Sequence, residues 1–167
     1  MYVDNSVIIA IAVVFLGGMA YFLFRPKNKP AEAKNPGPST LPLQLQAYER
    51  LVILAERIGL RSLIGNQPTD GLSAKEYQAL LVDAIKREYE YNVSQQIYVA
   101  PKAWEAVQNL KEQNIYVINQ ISSFLNGEAG GRDLARAIAE YLSGPENATL
   151  QQIVIEGLNI EAKKLMH

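Results

Sequence analysis

The sequence predicts an all-α protein: one N-terminal transmembrane helix, a Pro-rich linker, and a compact cytoplasmic bundle of about five helices. Three observations predict it. Asn5 to Phe24 run for twenty positions without a charge. Five prolines, Pro26, Pro30, Pro36, Pro38 and Pro42, crowd the stretch that follows. From Leu43 onward apolar residues recur every three or four positions, the period of a helix with one buried face, and runs of strand-like alternation are absent.

Residues 1–24 form the expected anchor. About 20 apolar residues at 1.5 Å each cross a hydrocarbon core of roughly 30 Å. Only Asp4 precedes the run, whereas Arg25, Lys27, Lys29 and Lys34 follow it. Positive charge stays on the cytoplasmic side, so the N-terminus is expected outside and residues 25–167 inside. Tyr2, Tyr21 and Phe22 lie near the two ends, at headgroup level. A cleaved secretory signal fits less well: the n-region is acidic, the apolar run is too long, and the small-x-small triplet Ala31-Glu32-Ala33 lies too far along. A lipoprotein anchor needs a cysteine, and the chain has none. Gly17-Gly18 and Ala20 would let a partner helix approach closely, without forming a GxxxG pair.

Residues 25–42 are expected to be a basic, extended spacer. Where polyproline-like it spans about 3 Å per residue. Arg25, Lys27 and Lys29 can touch anionic lipid at about 1 kcal/mol per charge, although setting topology is the simpler explanation of them. Charge divides along the same boundary. Residues 1–42 carry four Lys/Arg against Asp4 and Glu32, and residues 43–167 carry twelve against fifteen acids. A mildly acidic domain does not suit a phosphate backbone, so no nucleic-acid partner is expected.

Residues 43–167 are long enough for one domain with a core. The first predicted helix covers Leu43 to Leu60, with Leu45, Tyr48, Val52, Ala55 and Ile58 on one face. Gly59, Gly65, Pro68 and Gly71 then predict a loop over 61–72. The second helix opens at Ser73, with Glu76 completing a capping box, and runs to about Tyr91. Asp83–Arg87 and Lys86–Glu90 are its i,i+4 pairs. The third starts at Pro101, a residue suited to the first turn, and ends near Asn126, with Gly127 as terminator. Val99 and Trp104 take the two positions of a hydrophobic staple across its start. The fourth covers Arg132 to Leu142 and stops at Gly144-Pro145. The fifth covers Thr149 to Met166, with Thr149 as its cap.

Residue types exclude most chemistry. Without cysteine there is no thiol nucleophile, disulfide or thiolate metal site. The single histidine is His167, so metal sites and triads built on histidine are not expected. Glu88 and Glu90, two apart, face different sides of a helix. Gly127-Glu-Ala-Gly-Gly-Arg132 precedes a helix, where free amides can cradle a phosphate, but the Walker lysine and a preceding strand are missing. A helix terminator with a flexible link is the simpler reading. No cofactor, no metal and no enzyme activity are expected.

The densest constellation is the junction Glu88 to Trp104. Tyr91, Asn92, Gln95, Gln96, Tyr98 and Trp104 are its candidate residues, either as a well-specified interhelical corner or as a docking surface, since Tyr and Trp dominate interface hot spots. Asn92 and Ser94 suit a helix exit and a new cap, and Gln95 and Gln96 suit bonds to exposed backbone. Here the chain resembles a family of uncharacterised single-span membrane proteins of Bacteroidota, a domain of unknown function. The resemblance rests on Ala47-Tyr-Glu-Arg-Leu51 and on Asn92-Val-Ser-Gln-Gln-Ile-Tyr98 with Trp104. It covers residues 43 to about 125 and, in layout, the anchor. It implies a bacterial inner-membrane setting and no chemistry.

Ala103, Val107, Leu110, Asn114, Val117, Ile121 and Phe124 follow a 4-3-4-3-4-3 spacing. Asn114 takes a position where a polar residue fixes register. A core seam and homo-oligomer contact both fit this pattern. Two functions are expected from the whole. The first is a membrane-tethered, non-catalytic adaptor that positions a cytoplasmic protein at the inner membrane. The alternative is an accessory single-pass subunit of a larger membrane complex.

Overall fold

The computed structural model describes residues 40–144 and 149–166. Among them the chain is all-helical: α1 Leu41–Arg57, α2 Leu60–Asn66, α3 Ala74–Asn92, a 3₁₀ turn Val93–Ile97, α4 Pro101–Ser123, α5 Gly131–Leu142 and α6 Thr149–Leu165. No helix of the described residues is long and apolar enough to cross a membrane. The predicted span, residues 5–24, and the linker up to Ser39 lie outside the described residues, as do Pro145 and His167.

Two boundaries differ from the sequence expectation at the N-terminal side. Pro42 belongs to α1, not to the linker, because the first turn needs no amide from it. Residues 60–66 are a helix, not a loop. Gly59 turns extended (φ −60°, ψ 135°) and ends one helix, and a new one starts at once. Leu60 and Leu63 bury one stripe of α2, too short a pattern to read against the surrounding glycines. An added Cβ at Gly59 would meet the amide end of the Gln151 side chain at 2.3 Å, a flexible group that can swing aside.

The long helices α1, α3, α4 and α6 surround one core of Leu51, Leu54, Ile58, Leu81, Ile85, Val107, Leu110, Ile118 and Leu158, all essentially inaccessible. Their directions follow from paired contacts. Arg57 meets Glu88 at 3.1 Å while Arg50 lies over the Tyr91 ring, so α1 and α3 are antiparallel. Gln78 bonds Asn119 and Ser122 while Tyr89 stacks on Trp104, so α3 and α4 are antiparallel. Gln151 bonds Glu56 near the start of α6 and the end of α1, so these two are antiparallel as well. Leu134 and Ile138 of α5 add to the same core.

Asn114 explains its own placement on the α4 seam. Its amide donates 2.8 Å to the carbonyl of Ile58, the last group of α1, and both residues are buried. A carbonyl at a helix end has no intrahelical partner; here a residue of another helix supplies one. From Ala103 to Val117 the seam therefore lies inside the domain, Phe124 at its end is exposed, and the register Asn114 fixes is that of α4 against α1.

The Ser73–Glu76 capping box forms as predicted, with both reciprocal bonds present. The Ser73 amide and hydroxyl both donate to the Glu76 carboxyl and hold it below its usual range. The box therefore supports α3 at neutral pH and loosens as acid protonates Glu76. Arg87 pairs with Asp83, whereas Lys86 and Glu90 do not pair. Helix α4 ends at Ser123, three residues before the expected Asn126. Gly127 is not the terminator; Gly71 (φ 75°) is the described glycine with a left-handed backbone. The cap proposed for Thr149 concerns a side chain outside the described residues.

Two outcomes are expected. Residues 40–167 produced without the preceding segment should be highly helical and melt cooperatively by circular dichroism, because the core residues named above all lie between Leu51 and Leu158. A non-cooperative melt would contradict this. Asn114→Leu should lower unfolding stability by about 1–3 kcal/mol, measured by urea titration, since it leaves the Ile58 carbonyl buried and unpaired.

Candidate functional site

The corner between α3 and α4 divides into an inner half and an outer half. Asn92 is buried. Its side-chain amide donates 2.9 Å to the Glu88 carbonyl and closes the last turn of α3. The 3₁₀ turn follows, and Tyr98 N–H donates to the Gln95 carbonyl at 3.0 Å. Val99 and Trp104 occupy the staple positions on either side of the α4 start, with Val99 buried and Trp104 half-buried. Trp104 stacks on Tyr89, ring centroids 5.1 Å apart and tilted by 36°. Lys111 Nζ lies 4.2 Å from the same Tyr89 ring, and burial pushes the Tyr89 phenol above its usual range.

The backbone of this corner is held from α1. Ala100, the N-cap of α4, donates its N–H to the Tyr48 hydroxyl at 3.1 Å. Tyr48 is itself buried, and its phenol is raised above the usual range, first by that burial. Arg50 lies over the exposed Tyr91 ring. The two segments that carried the resemblance, 47–51 and 92–98 with Trp104, thus meet in space. Their joint role in the fold is to fix where α4 begins.

The outer half is different. Tyr91 is 70% and Ile97 71% exposed, with Val93 and Gln96 also in solvent. Tyr98 and Gln95 are half-buried. Gln95 and Gln96 do not bond the backbone as the sequence suggested. Gln95 donates to the neighbouring Ser94 hydroxyl, because the 3₁₀ turn already satisfies the local amides. Ser94 caps no helix; Ala100 stands at the N-cap of α4. Of the six candidate residues, Asn92, Gln95, Tyr98 and Trp104 are partly or wholly inside, and Tyr91 and Gln96 are outside. Sequence reasoning missed Tyr48 as the corner's partner. Its signal was a hydroxyl set on an otherwise apolar face, a group that needs a partner when buried.

The glycine segment 127–132 takes neither of the forms the sequence left open. It pairs with the loop before α3. Ala74 N–H donates to the Ala129 carbonyl at 2.8 Å, and Gly131 N–H to the Leu72 carbonyl at 2.7 Å. Gly130 N–H is accepted by the Asp133 carboxylate at 2.9 Å. The amides that would cradle a phosphate are therefore in use. A Cβ on Gly131 would sit 2.9 Å from the Thr69 carbonyl and 3.2 Å from Tyr77 Cβ. The close approach of the two loops requires that glycine. Arg132 closes the outside by donating Nε and Nη2 to one Asp70 oxygen, at 3.0 and 2.7 Å.

Each of these loops joins two helices, as a calcium-binding loop does. Counted from Gly71 as the turn glycine, the position that needs a bidentate carboxylate falls on the buried Tyr77. Among the described residues no group of three or more His, Cys, Asp or Glu is placed to hold a metal ion.

An open groove runs between the first half of α1 and the last half of α6. Leu45, Tyr48, Glu49, Val52, Ile53, Asn159, Ala162 and Met166 line about 460 Å³. Its walls are mainly apolar, and Ile53 and Met166 are exposed on them.

These features define an all-α bundle with an apolar surface groove and a firmly held corner. The chain belongs to a family of unknown function, DUF7935, whose profile matches residues 2–165. No curated protein and no solved structure matches it significantly.

Two substitution pairs test this geometry. Gly131→Ala should cost about 1–3 kcal/mol by overpacking the loop pair, whereas Gly127→Ala, with open space around it, should be neutral or slightly stabilising in the same urea titration. Tyr48→Phe should cost about 1–3 kcal/mol by leaving the Ala100 amide unpaired. Trp104→Ala should cost less than the ~3–5 kcal/mol of a fully buried ring, because its ring is only partly buried against the core.

Proposed function

We propose that the chain is a membrane-tethered, non-catalytic helical adaptor that holds a cytoplasmic protein partner at the bacterial inner membrane. In this reading residues 5–24 form the single span, with the N-terminus outside and the bundle in the cytoplasm. Residues 25–40 are the tether, and Arg25, Lys27 and Lys29 sit at the anionic leaflet.

The observation that supports it is the α1–α6 groove. It is apolar, open to solvent and built on two rigid helices, which is what an amphipathic helix of a partner protein requires. Leu45, Val52 and Ile53 would take the partner's apolar stripe, and Glu49 on the wall favours a basic residue beside it. The polar groups that first looked available for chemistry, at Asn92, Asn114 and Gly130-Gly131, all have partners within the fold. The excess of acidic residues over 43–167 favours a protein partner over nucleic acid.

Ile53→Asp places a charge on the groove wall at a half-exposed site. In a mild-detergent purification of the full-length chain, the partner should be lost with this variant, while thermal stability changes by less than about 0.5 kcal/mol. Retention of the partner would remove the groove from the reading. Replacing residues 5–24 by an unrelated apolar helix should leave capture intact. Loss with that replacement would instead support an accessory subunit that packs through its span.

A further inference from the structure

The end of the bundle at which the chain enters exposes five large apolar side chains. Leu43 lies in the first turn of α1. Tyr91, Val93 and Ile97 lie on the α3–α4 corner, and Met166 follows α6. The antiparallel packing of α1 against both α3 and α6 puts these three places at one end. Their exposures run from 43% at Val93 to 71% at Ile97. The bonded inner half of the corner holds the outer side chains in place, so they are not a frayed loop. Charges around them are of both signs: Arg50, Lys102 and Lys163 against Glu49 and Glu90, all at that end and mostly exposed.

What faces this end is indicated by the chain that leads into it. The uncharged run ends at Phe24 and α1 starts at Leu41, so sixteen residues separate them. We propose that the entry end of the bundle rests on the phospholipid surface, with Tyr91, Val93 and Ile97 entering the headgroup region. The inference depends on the reading of residues 5–24 as a membrane anchor. The side chains suit the location: an amphipathic tyrosine ring and two aliphatic tips prefer the boundary between headgroups and acyl chains. The mixed charges suit a headgroup layer that carries both signs. Three tips give weak binding alone, but a tether of sixteen residues at about 3 Å each keeps the bundle within about 50 Å of the bilayer, so weak intrinsic affinity suffices. The α1–α6 groove runs along the side of the bundle, and this placement leaves it open to a protein.

The chain has no cysteine, so single labelling sites can be introduced cleanly. The test uses full-length protein reconstituted in phosphatidylcholine–phosphatidylglycerol vesicles, with a polarity-sensitive dye at Ile97→Cys, Val93→Cys or, at the opposite end, Glu128→Cys. Flotation with the vesicles reports the anchor separately. The dye at 97 and 93 should shift to the blue and lose emission to a quencher carried on the acyl chains. The dye at 128 should do neither. Adding Ile97→Asp to the Val93→Cys protein should abolish the quenching at 93 without preventing flotation. Protein that floats with 97 and 93 as wet as 128 overturns the bilayer contact and leaves the anchor standing. Protein that does not float overturns both. A dye that is wet in pure lipid but shielded in native membranes means that another protein covers this end, and that also overturns the proposal.

Discussion

A helix that stops inside a bundle leaves backbone amides and carbonyls that water cannot reach. The architecture here is organised by that constraint. Helix α1 ends at Ile58 in the core, and Asn114 of α4 reaches across to its carbonyl. Helix α4 begins at Ala100 against α1, and Tyr48 accepts the amide there. Helices α3 and α5 begin side by side, and each loop supplies the other's partner through Ala74–Ala129 and Gly131–Leu72. Every one of these bonds joins segments distant in sequence. Together they fix the register of α1, α3, α4 and α5 more tightly than apolar packing alone, which tolerates sliding.

The same constraint accounts for the apparent functional motifs. A buried amide, an amide-rich corner and a glycine-rich turn before a helix all resemble sites when read along the chain. In three dimensions each is a solution to an end-of-helix problem. Among the described residues, the exposed apolar features include the α1–α6 groove and the tips of Tyr91, Val93 and Ile97. A surface of this kind suits contact with another apolar surface. That is the physical basis for reading the protein as a positioning module.

The sequence by itself determined the class and the local starts and stops. Apolar spacing at three and four fixed the helical class, since a buried helix face permits no other period. Ser73-x-x-Glu76 and Pro101 marked two helix starts correctly, because a cap acts within four residues and needs nothing from elsewhere. Only the tertiary structure decided α2, the early end of α4, and the work of Tyr48, Asn114 and Gly131. Helix α2 is seven residues long and is held by the burial of Leu60 and Leu63 against other helices. Tyr48, Asn114 and Gly131 serve partners more than fifty positions away, and a partner at that distance leaves no mark on local spacing. The division of the corner into Asn92 inside and Tyr91 outside has the same origin. Neighbours in sequence point about 100° apart on a helix, and packing against α1 decides which one meets water.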